Sequence, residues 1–393
     1  MNVKRIRVGV IFGGRSSEHF VSIRSASSVI ANLDRERYEP APLYVFQNGH
    51  WAVPDRPPSA LTEADAKEYA RDQEARQPRA AREAHLVANT SDDHTLLTIE
   101  RDVPRGDGDV SADPDLAFVR GLHLDVVFPV LHGPYGEDGT VQGLLELANV
   151  PYVGAGVLAS SVGMDKAVMK VVFAARGLPV PAWTVVSAHE WAGARKTTLA
   201  RVLSQLQLPL FVKPANLGSS VGISKAKDDA GLAAAIDLAA RYDRKVVVEA
   251  AVPNAREIEV SVLGNDAPKA SVAGEIVPSR EFYDYEAKYL DDDSKLLVPA
   301  PLTKAQMKEV QRLAVEAFLA VDGAVMGRVD FLLDGQSGAW YVNEINTIPG
   351  FTTISMYPKL WEATGLPYAA LLEQLIDLAV ERHAAKQHLR TSP

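Results

Sequence analysis

The stretch between residues 327 and 353, GRVDFLLDGQSGAWYVNEINTIPGFTT, restricts the possible folds of this chain more than any other. VDFLLD and AWYVNEIN are rich in β-branched and aromatic residues, and DGQSG between them supplies turn formers, which predicts a β-hairpin. Because side chains two apart on a strand share a face, Arg328 accompanies Asp330, and Glu344 accompanies Asn346. A turn with an odd number of residues would place both pairs on one face, with Asp330 opposite or diagonal to Glu344.

This face would combine two carboxylates, an amide oxygen and a guanidinium. Hard oxygen ligands without Cys or His suit Mg²⁺, which takes one or two carboxylates and completes its coordination with waters and substrate phosphates. The pattern predicts Asp330, Glu344 and Asn346 as metal ligands, with a nucleoside triphosphate as the partner. The alternative is a surface hairpin with solvated acids. Glu344 and Asn346 lie in an otherwise apolar strand, where uncompensated burial is costly, and this favours the metal site.

Length, charge and cysteine content narrow the class of protein. A chain of 393 residues exceeds one ordinary core and predicts two or three domains. The net charge of −9 argues against nucleic acid or an anionic membrane as the main partner. The absence of cysteine excludes disulfides, thiolate nucleophiles and Cys-ligated zinc. MNVKRIRVGVIFGG predicts a buried first strand rather than a signal peptide, and no run is long enough to span a bilayer, so a cytoplasmic protein is expected.

Two strand, loop and helix units are predicted in the first part of the chain. RVGVIFGG and SSEHFVSIRSASSVIANL form the first, with Glu18 at the helix start. The charge of Glu18 favours a cationic guest, and an equal alternative is a Glu favoured there by the helix dipole. LDVVFPVL, HGPYGEDG and TVQGLLELAN form the second and place His132 at the carboxyl end of a strand, which suits a ligand site. A lone His there is more often structural. Between the units, residues 51–116 are polar and Pro-rich and predict a solvated helix or an excursion.

Further along the chain, lysines and serines indicate an anionic ligand. Lys166 lies in the first turn of a helix, where a cation opposes the dipole; a solvated lysine is the alternative. LPLFVKPANLGSSVGISKAKD predicts strand, loop and strand, with Lys213 at the end of the first strand. The small residues of GSSVG, including Ser219 and Ser220, can close over phosphates with backbone N–H and hydroxyl donors. The loop lacks the Walker A pattern, and an ordinary hairpin loop is the alternative.

Acidic residues follow on two predicted strands. RKVVVEAAVP ends in Glu249, and AREIEVSVLGN alternates so that Glu257 and Glu259 share a face. An acid near a nucleotide can accept ribose hydroxyls, and a solvated strand face is the alternative. EFYDYEAKYLDDDS predicts an ordered loop in which Lys288 and Tyr289 lie beside an acidic run. This loop is the candidate lid over the site.

GGRSSEHFVS, HGPYGEDG, VKPANLGSSVG, FYDYEAKY, GRVDF and NEINTIPGFT, in that order over nearly the whole chain, resemble the D-alanine-D-alanine ligase family of the ATP-grasp superfamily. The resemblance implies a ligase of peptidoglycan synthesis that joins two D-alanines with ATP and two Mg²⁺ ions, or Mn²⁺ in their place. It implies an α/β fold with an N-terminal parallel α/β domain (1–154) and two α+β domains (155–249 and 250–393) whose antiparallel sheets hold ATP. Residues 51–116 match no motif. A homodimer is expected, without nucleic acid or membrane partners.

By motif position, the resemblance assigns Glu18 to the ammonium group of the first D-alanine. It places Ser219 and Tyr289 in a hydrogen-bonded network with Glu18 that holds the loop closed, with His132 nearby. Later motifs assign the residues that would bind the second D-alanine.

In that region the resemblance aims Arg328 and the Gly350 N–H at the developing oxyanion. Ser355 would bind the carboxylate of the second D-alanine, and Lys288 either that carboxylate or the transferred phosphate. One departure lies in VEAAV, where many relatives carry a charged residue and this chain has Ala250. A side-chain contact to adenine is therefore not expected from Ala250.

For the nucleotide, the resemblance assigns Lys166, Lys213 and Ser220 to ATP, the two lysines binding its phosphates. Glu249 would lie at the adenine region and Glu257 at the ribose. The predicted metal ligands would hold two Mg²⁺ ions.

Two other functions are weighed against this one. A ligase that takes D-lactate or D-serine as second substrate is less favoured, because Tyr289 in FYDYEAKY resembles the dipeptide-forming members. A non-catalytic ATP-binding or small-molecule-binding protein on the same scaffold would be expected to lack Arg328 or part of the metal set. This chain has all of these residues.

Overall fold

The computed structural model describes residues 4–76, 82–86, 95–101, 117–277 and 295–390. Its strands are β1 (Ile6–Gly13), β2 (Tyr38–Val45), β3 (Trp51–Val53), β4 (Arg82–Leu86), β5 (Thr95–Arg101), β6 (Ala117–His123), β7 (Val126–Pro129), β8 (Trp183–Ser187), β9 (Leu210–Pro214), β10 (Ser224–Ala226), β11 (Lys245–Ala250), β12 (Arg256–Gly264), β13 (Lys269–Val277), β14 (Lys295–Leu297), β15 (Val325–Leu333) and β16 (Trp340–Asn346). Its helices are α1 (His19–Asn32), α2 (Glu63–Arg76), α3 (Thr140–Leu147), α4 (Val157–Met164), α5 (Lys166–Ala175), α6 (Ala188–Gln205), α7 (Asp229–Ala239), α8 (Lys304–Ala320), α9 (Met356–Ala363) and α10 (Tyr368–Gln387).

The first sheet is built around β1, whose apolar side chains Val8, Val10, Ile11 and Phe12 are fully buried. Burial on both faces is typical of a parallel strand, and β2 and β7 flank β1 in parallel as predicted. Beyond β2 the sheet continues with β3, β4, β5 and β6 in antiparallel pairing. The region 51–116, expected to be an excursion, therefore supplies strands as well as α2. These strands are short and polar, so their period-2 signal is weak in the sequence.

Two antiparallel sheets make up the rest of the fold. The second has the strand order β10, β9, β11, β8, and the third β14, β13, β12, β15, β16. Helix α8 begins at a capping box of Thr303 and Gln306 and packs on the third sheet through Val310, Ala314 and Phe318. The fold class predicted from the sequence, with a parallel-containing sheet and two antiparallel sheets, is confirmed.

Strands β15 and β16 form the predicted hairpin, but its register has an unexpected cause. Residues 334–339 connect the strands, and this even number would place Asn343 opposite Asp330. A β-bulge at Asn343 shifts the pairing by one residue, so that Asp330 faces Glu344. The predicted shared face is confirmed, and the bulge rather than an odd turn produces it.

The first sheet and the C-terminal segment share one core. Phe128, in β7, and Phe351, after β16, pack edge to face with ring centroids 5.5 Å apart. Helix α10 joins the same core, and its Glu373 lies 3.0 Å from Arg37. This packing holds the loop after β7 against the turn after β16, where the candidate site lies. Within the described ranges, no helix has the length and apolar character needed to cross a bilayer.

Candidate active site

A cavity of about 230 Å³ opens where the loops after β7, β9 and β16 meet. Its lining includes these predicted residues: Glu18, His132, Lys166, Ser219, Ser220, Arg328, Glu344, Asn346, Gly350 and Ser355. It also includes three charged residues to which the sequence analysis assigned no role: Arg24, Glu137 and Glu259. Among the other predicted residues, the described Lys213, Glu249, Glu257 and Asp330 are not part of the lining, and Lys288 and Tyr289 lie outside the described residues.

Arg328 lies between two carboxylates on neighbouring strands, and Glu259, Arg328 and Asp330 are here called the arginine cluster. The guanidinium donates to both oxygens of Asp330 at 2.7 Å, and its Nε lies 3.0 Å from Glu259 Oε2. Glu259 faces Asp330 because β12 and β15 pair at that position, and Asn346 Nδ2 donates to Asp330 at 2.9 Å. Burial would lower the pKa of Arg328, but the two carboxylates raise it well above its ordinary value. The guanidinium is therefore a fixed cation at the cavity wall.

A second group of charges lies between the second sheet and α5, and Lys170, Lys213 and Glu249 are here called the lysine cluster. Glu249 forms ion pairs with both lysines, and Lys170 Nζ lies 2.8 Å from Glu249 Oε2. Lys213 Nζ also donates to Asn343 Oδ1 at 3.1 Å. Burial would raise the pKa of Glu249, but the two ammonium groups lower it to about 2. The carboxylate of Glu249 thus faces two lysines, and its assignment to the adenine region stays a prediction.

Lys166 connects the loop after β9 to the β15–β16 hairpin. Asp165 caps α5 by accepting the N–H groups of Ala167 and Val168, so the helix begins at Lys166. Lys166 Nζ donates to the carbonyl oxygen of Leu217 at 2.9 Å and lies 3.2 Å from Glu344 Oε2. This position, between a glycine-containing loop and an acid, suits contact with an anion bound in the cavity.

The carboxylate of Glu18 packs against glycines of two separate loops. A Cβ built on Gly133 would lie 2.7 Å from Glu18 Oε2, and a Cβ built on Gly218 would lie 3.0 Å from it. Larger residues at either position would displace the carboxylate. Ser219 follows Gly218 with a φ of 50°, a conformation that is uncommon for residues other than glycine. Glu18 and Ser219 thus share one corner of the cavity, while Tyr289, the third member of the predicted network, lies outside the described residues.

His132 holds the turn after β16 in place. Its Nδ1 donates to the carbonyl oxygen of Ile348 at 3.0 Å, and its Nε2 lies 3.0 Å from Ser25 Oγ. Burial lowers the pKa of His132, so the neutral ring accepts the Ser25 hydroxyl at Nε2. Ser25 Oγ in turn accepts the N–H of Phe351 at 3.2 Å. His132 lines the cavity and ties the first domain to the residues around Gly350.

Glu137 holds the same turn from the other side. Its Oε1 accepts the N–H of Ile348 at 3.3 Å and its Oε2 accepts the N–H of Gly133 at 2.7 Å. Burial and the nearby carboxylate of Glu18 raise the pKa of Glu137 to about 8, although both hydrogen bonds oppose this rise. Glu137 therefore fixes the backbone N–H of Ile348, and His132 fixes the C=O of the same residue.

Gly350 and Ser355 lie together at the far end of the turn. A Cβ on Gly350 would come within 2.9 Å of Ser355 Oγ, so glycine permits this close approach. Ser355 Oγ accepts the N–H of Thr352 at 3.0 Å and lies 2.7 Å from Thr352 Oγ1. The hydroxyl and the Gly350 backbone therefore face the same end of the cavity.

Sequence reasoning missed Glu137, Glu259 and Lys170. Lys170 is four residues after Lys166 on α5, so the helical period could have placed both lysines on one face. Glu259 shares a face with Glu257, yet the pairing of β12 with β15 gives it a role that its own strand does not indicate. Glu259 is only 6% exposed, which overturns the solvated-face alternative for this residue. Glu137 carries no local signal beyond its place in HGPYGEDG.

The donor set fits the predicted metal chemistry. Asp330 and Glu344 face each other across the hairpin, where Asp330 binds Arg328 and Glu344 lies beside Lys166. In the part of the chain that the structure describes, no group of three or more His, Cys, Asp and Glu is arranged to hold a metal. Two carboxylates and an amide are what Mg²⁺ takes when phosphates complete its coordination.

Two antiparallel sheets beside a cavity lined by lysine, arginine and acidic side chains define the ATP-grasp class of enzymes. Comparison with models of known protein families identifies the family within this class. The model described as the D-ala D-ala ligase N-terminus matches residues 7–155, and the model described as the D-ala D-ala ligase C-terminus matches residues 172–377. The chain belongs to the D-alanine-D-alanine ligase family, as its motifs predicted.

Individual relatives agree with this family. The chain is 50% identical to a D-alanine–D-alanine ligase of Heliobacterium modesticaldum over 98% of this chain and 97% of that protein. It is 44% identical to a D-alanine–D-alanine ligase of Bacillus cytotoxicus over 98% of this chain and 99% of the relative. The solved D-alanine-D-alanine ligase from Coxiella burnetii superposes with a TM-score of 0.78 at 36% identity, over 98% and 97% of the two chains. A D-Ala:D-Ser ligase from Enterococcus faecalis superposes with a TM-score of 0.79 at 31% identity, over 96% and 100%.

Proposed function

We propose that this protein is an ATP-dependent ligase that joins two D-alanines into D-alanyl-D-alanine for peptidoglycan synthesis. The observation that carries the proposal is one cavity lined by Glu18, Lys166, Arg328 and Glu344, with Gly350 at its end. These residues supply a partner for an ammonium group, a partner for phosphate, an oxyanion donor and a metal ligand. Relatives that are 43% to 50% identical over nearly their whole length carry the same ligase name.

The proposed reaction has two steps. The carboxylate of the first D-alanine attacks the γ-phosphate of ATP, which forms D-alanyl phosphate and releases ADP. The amine of the second D-alanine then attacks the acyl carbon, and phosphate leaves as the peptide bond forms. Both steps move negative charge between oxygens, so the protein acts mainly by positioning and electrostatic stabilisation.

The residues divide these tasks. Glu18 would hold the ammonium group of the first D-alanine. The carboxylate of that D-alanine would then be directed into the cavity. Arg328, a permanent cation, and the Gly350 N–H would stabilise the oxyanion of the second step, while Ser355 would bind the second carboxylate. No protein nucleophile is required. Because acyl phosphates hydrolyse, the segment with Tyr289, together with Ser219, would exclude water as a lid.

The nucleotide would lie between the second and third sheets. Lys166, Lys213 and Ser220 would bind its phosphates, while Glu249 and Glu257 would lie at the adenine and the ribose. When bound, Mg²⁺, or Mn²⁺ in its place, neutralises charge on the phosphate oxygens. Its ligands would be those predicted from the sequence: Asp330, Glu344 and Asn346.

The broader assignments belong to the same proposal. We assign residues 1–154 to an N-terminal domain, 155–249 to a central domain and 250–393 to a C-terminal domain. Lys288 would contact the transferred phosphate or the second carboxylate. A homodimer and a cytoplasmic location stay predictions.

The test is phosphate release from ATP with D-alanine, L-alanine, D-serine and D-lactate offered in turn, and with each product identified by mass. We expect release with D-alanine alone and a product with the mass of D-alanyl-D-alanine. A mixed product with D-serine, the specificity named for the Enterococcus faecalis structure, would instead favour the alternative ligase. No release with any of them would contradict a ligase.

A further inference from the structure

Lys170 is a buried cation that the proposed reaction does not use. It lies on α5 one turn beyond Lys166 and is 1% exposed, as is Glu249. Its Nζ lies 2.8 Å from one oxygen of Glu249, and Lys213 binds the other oxygen. A fully buried ammonium group is costly unless it is paired, so this arrangement calls for a reason beyond packing.

The three members of the lysine cluster differ in their access to the cavity. Lys213 is the most exposed, at 9%, and it reaches Asn343, the residue next to Glu344 in the cavity lining. Of the three members, Lys213 is therefore the one closest to the cavity wall and the one that a phosphate bound at that wall would contact. Glu249 faces both lysines, so its negative charge is divided between them.

The charge balance of the cluster follows from this geometry. Two lysines around one carboxylate leave surplus positive charge, which sits on the more accessible member. With Lys170 removed, Lys213 would be the counter-ion that keeps Glu249 from being a buried unpaired charge, which is strongly unfavourable. Lys213 would then be held on Glu249 and offer little net charge to a phosphate.

We propose that Lys170 is a positioning residue for nucleotide binding, which neutralises Glu249 and so keeps the charge of Lys213 available to a nucleotide phosphate. This inference rests on the proposed function. Its chemical consequence concerns phosphates alone, because neither the ribose nor the base carries a charge that Lys213 would attract.

The experiment compares Mg²⁺-ADP with adenosine as ligands. Titration calorimetry, with adenosine measured by competition against ADP, gives both affinities for wild type, Lys170→Met, Glu249→Gln and the double variant. Lys308→Met, an exposed lysine on α8, is the matched control for the loss of one positive charge. Thermal unfolding of each variant reports whether the fold is retained.

For Lys170→Met we expect ADP affinity to fall by about 10- to 100-fold, the range of one charge-assisted hydrogen bond, with adenosine affinity unchanged. In the double variant, the ratio of ADP affinity to adenosine affinity should return to near the wild-type value, since Lys213 no longer has a carboxylate to neutralise. This ratio cancels any contact of Glu249 with the adenine, which both ligands share. Lys308→Met should bind both ligands as wild type does.

Three results would overturn the inference. These are wild-type ADP affinity in Lys170→Met, an equal loss of ADP and adenosine affinity in that variant, and no recovery of the ADP-to-adenosine affinity ratio in the double variant. The second would assign Lys170 a purely structural role. If the wild-type protein itself binds no ADP, the proposed function fails along with the inference, whereas the first three results leave it intact.

Discussion

The lysine cluster and the arginine cluster both pair charges away from solvent, but with opposite ratios of positive to negative groups. In the lysine cluster, two ammonium groups share the carboxylate of Glu249. In the arginine cluster, the carboxylates of Glu259 and Asp330 share the guanidinium of Arg328. The lysine cluster is buried and the arginine cluster is largely buried, so each charge needs a partner in order to be retained in the folded state.

The difference concerns what each cluster can still attract. Surplus positive charge in the lysine cluster suits the phosphates of a nucleotide. Surplus negative charge in the arginine cluster, increased by Glu344 opposite Asp330, suits a divalent cation. A nucleotide with its metal ion carries both kinds of charge, so the two clusters together match one ligand.

The largest expected effect comes from reducing the negative surplus. Glu344→Gln keeps the size of the side chain but removes the charge of a predicted metal ligand. We expect the rate of ATP turnover to fall below about one-thousandth of the wild-type rate, because several kcal/mol of transition-state stabilisation depend on the metal. Phosphate release measured over a range of Mg²⁺ concentrations tests this.

Glu362→Gln, an exposed position on α9, is the control and should keep full activity. Full activity in Glu344→Gln would remove Glu344 from the metal site and end the comparison between the clusters.

Removing the shared cation should have the next largest effect. Arg328→Met leaves Glu259 and Asp330 buried without their common partner, which should reduce the unfolding free energy by about 3 to 5 kcal/mol. Because Arg328 is the proposed oxyanion donor, its loss should also lower kcat by roughly 10² to 10³. Urea unfolding and steady-state kinetics measure the two effects separately.

Arg312→Met is the matched control, since Arg312 also binds two carboxylates but lies on the surface. It should change stability by less than about 1 kcal/mol. Equal effects of the two substitutions would show that burial of the arginine cluster does not matter.

The lysine cluster predicts that the free energy of unfolding decreases at acidic pH. The pKa of Glu249 is about 2 in the folded protein, below its ordinary value of 4.5. Its contribution is therefore fully present above pH 4.5 and is lost as the pH falls toward 2. Glu249→Gln should cost about 3 to 5 kcal/mol at pH 7, and the difference from wild type should shrink below pH 4.5.

Urea unfolding of wild type and Glu249→Gln at pH 7 and pH 3 measures this change. A stability difference that stays constant over that range would mean that the lysines do not hold the carboxylate ionised.

Glu137 sharpens the comparison because its neighbour is the like-charged Glu18. Its folded pKa of about 8 lies above the ordinary 4.5, so the folded protein binds a proton that the unfolded chain has released between these values. Wild-type stability should therefore decline between pH 4.5 and 8 through this group, by at most about 1.4 kcal/mol per pH unit. Glu137→Gln should lack this decline.

The measurement is urea unfolding at several pH values, with the exposed Glu36→Gln as control. Parallel pH profiles for wild type and Glu137→Gln would contradict the raised pKa. Burial raises the pKa of both Glu137 and Glu249, so the two measurements together ask whether the lysines around Glu249 reverse that rise while Glu18 adds to it at Glu137.

Much of the site could be predicted before any coordinates. The alternation of VDFLLD paired Arg328 with Asp330, and that of AWYVNEIN paired Glu344 with Asn346, and the structure keeps both pairs and joins them on one face. These are local patterns: period 2 follows from the backbone of a strand, whatever the strand packs against. The motifs that resemble the ligase family are likewise short and contiguous, so the order of residues suffices to recognise them.

Other features depended on which segments meet in space. The bulge at Asn343 sets the register of the hairpin, and strand pairing places Glu259 beside Arg328. Likewise, Lys170 finds Glu249, some eighty residues away, through the packing of α5 on the second sheet. Such contacts join residues far apart along the chain, and their energy depends on burial and on the charges around them. A local sequence pattern indicates neither the burial of these residues nor the charges around them. The charge balance of the two clusters is therefore known only from the folded structure.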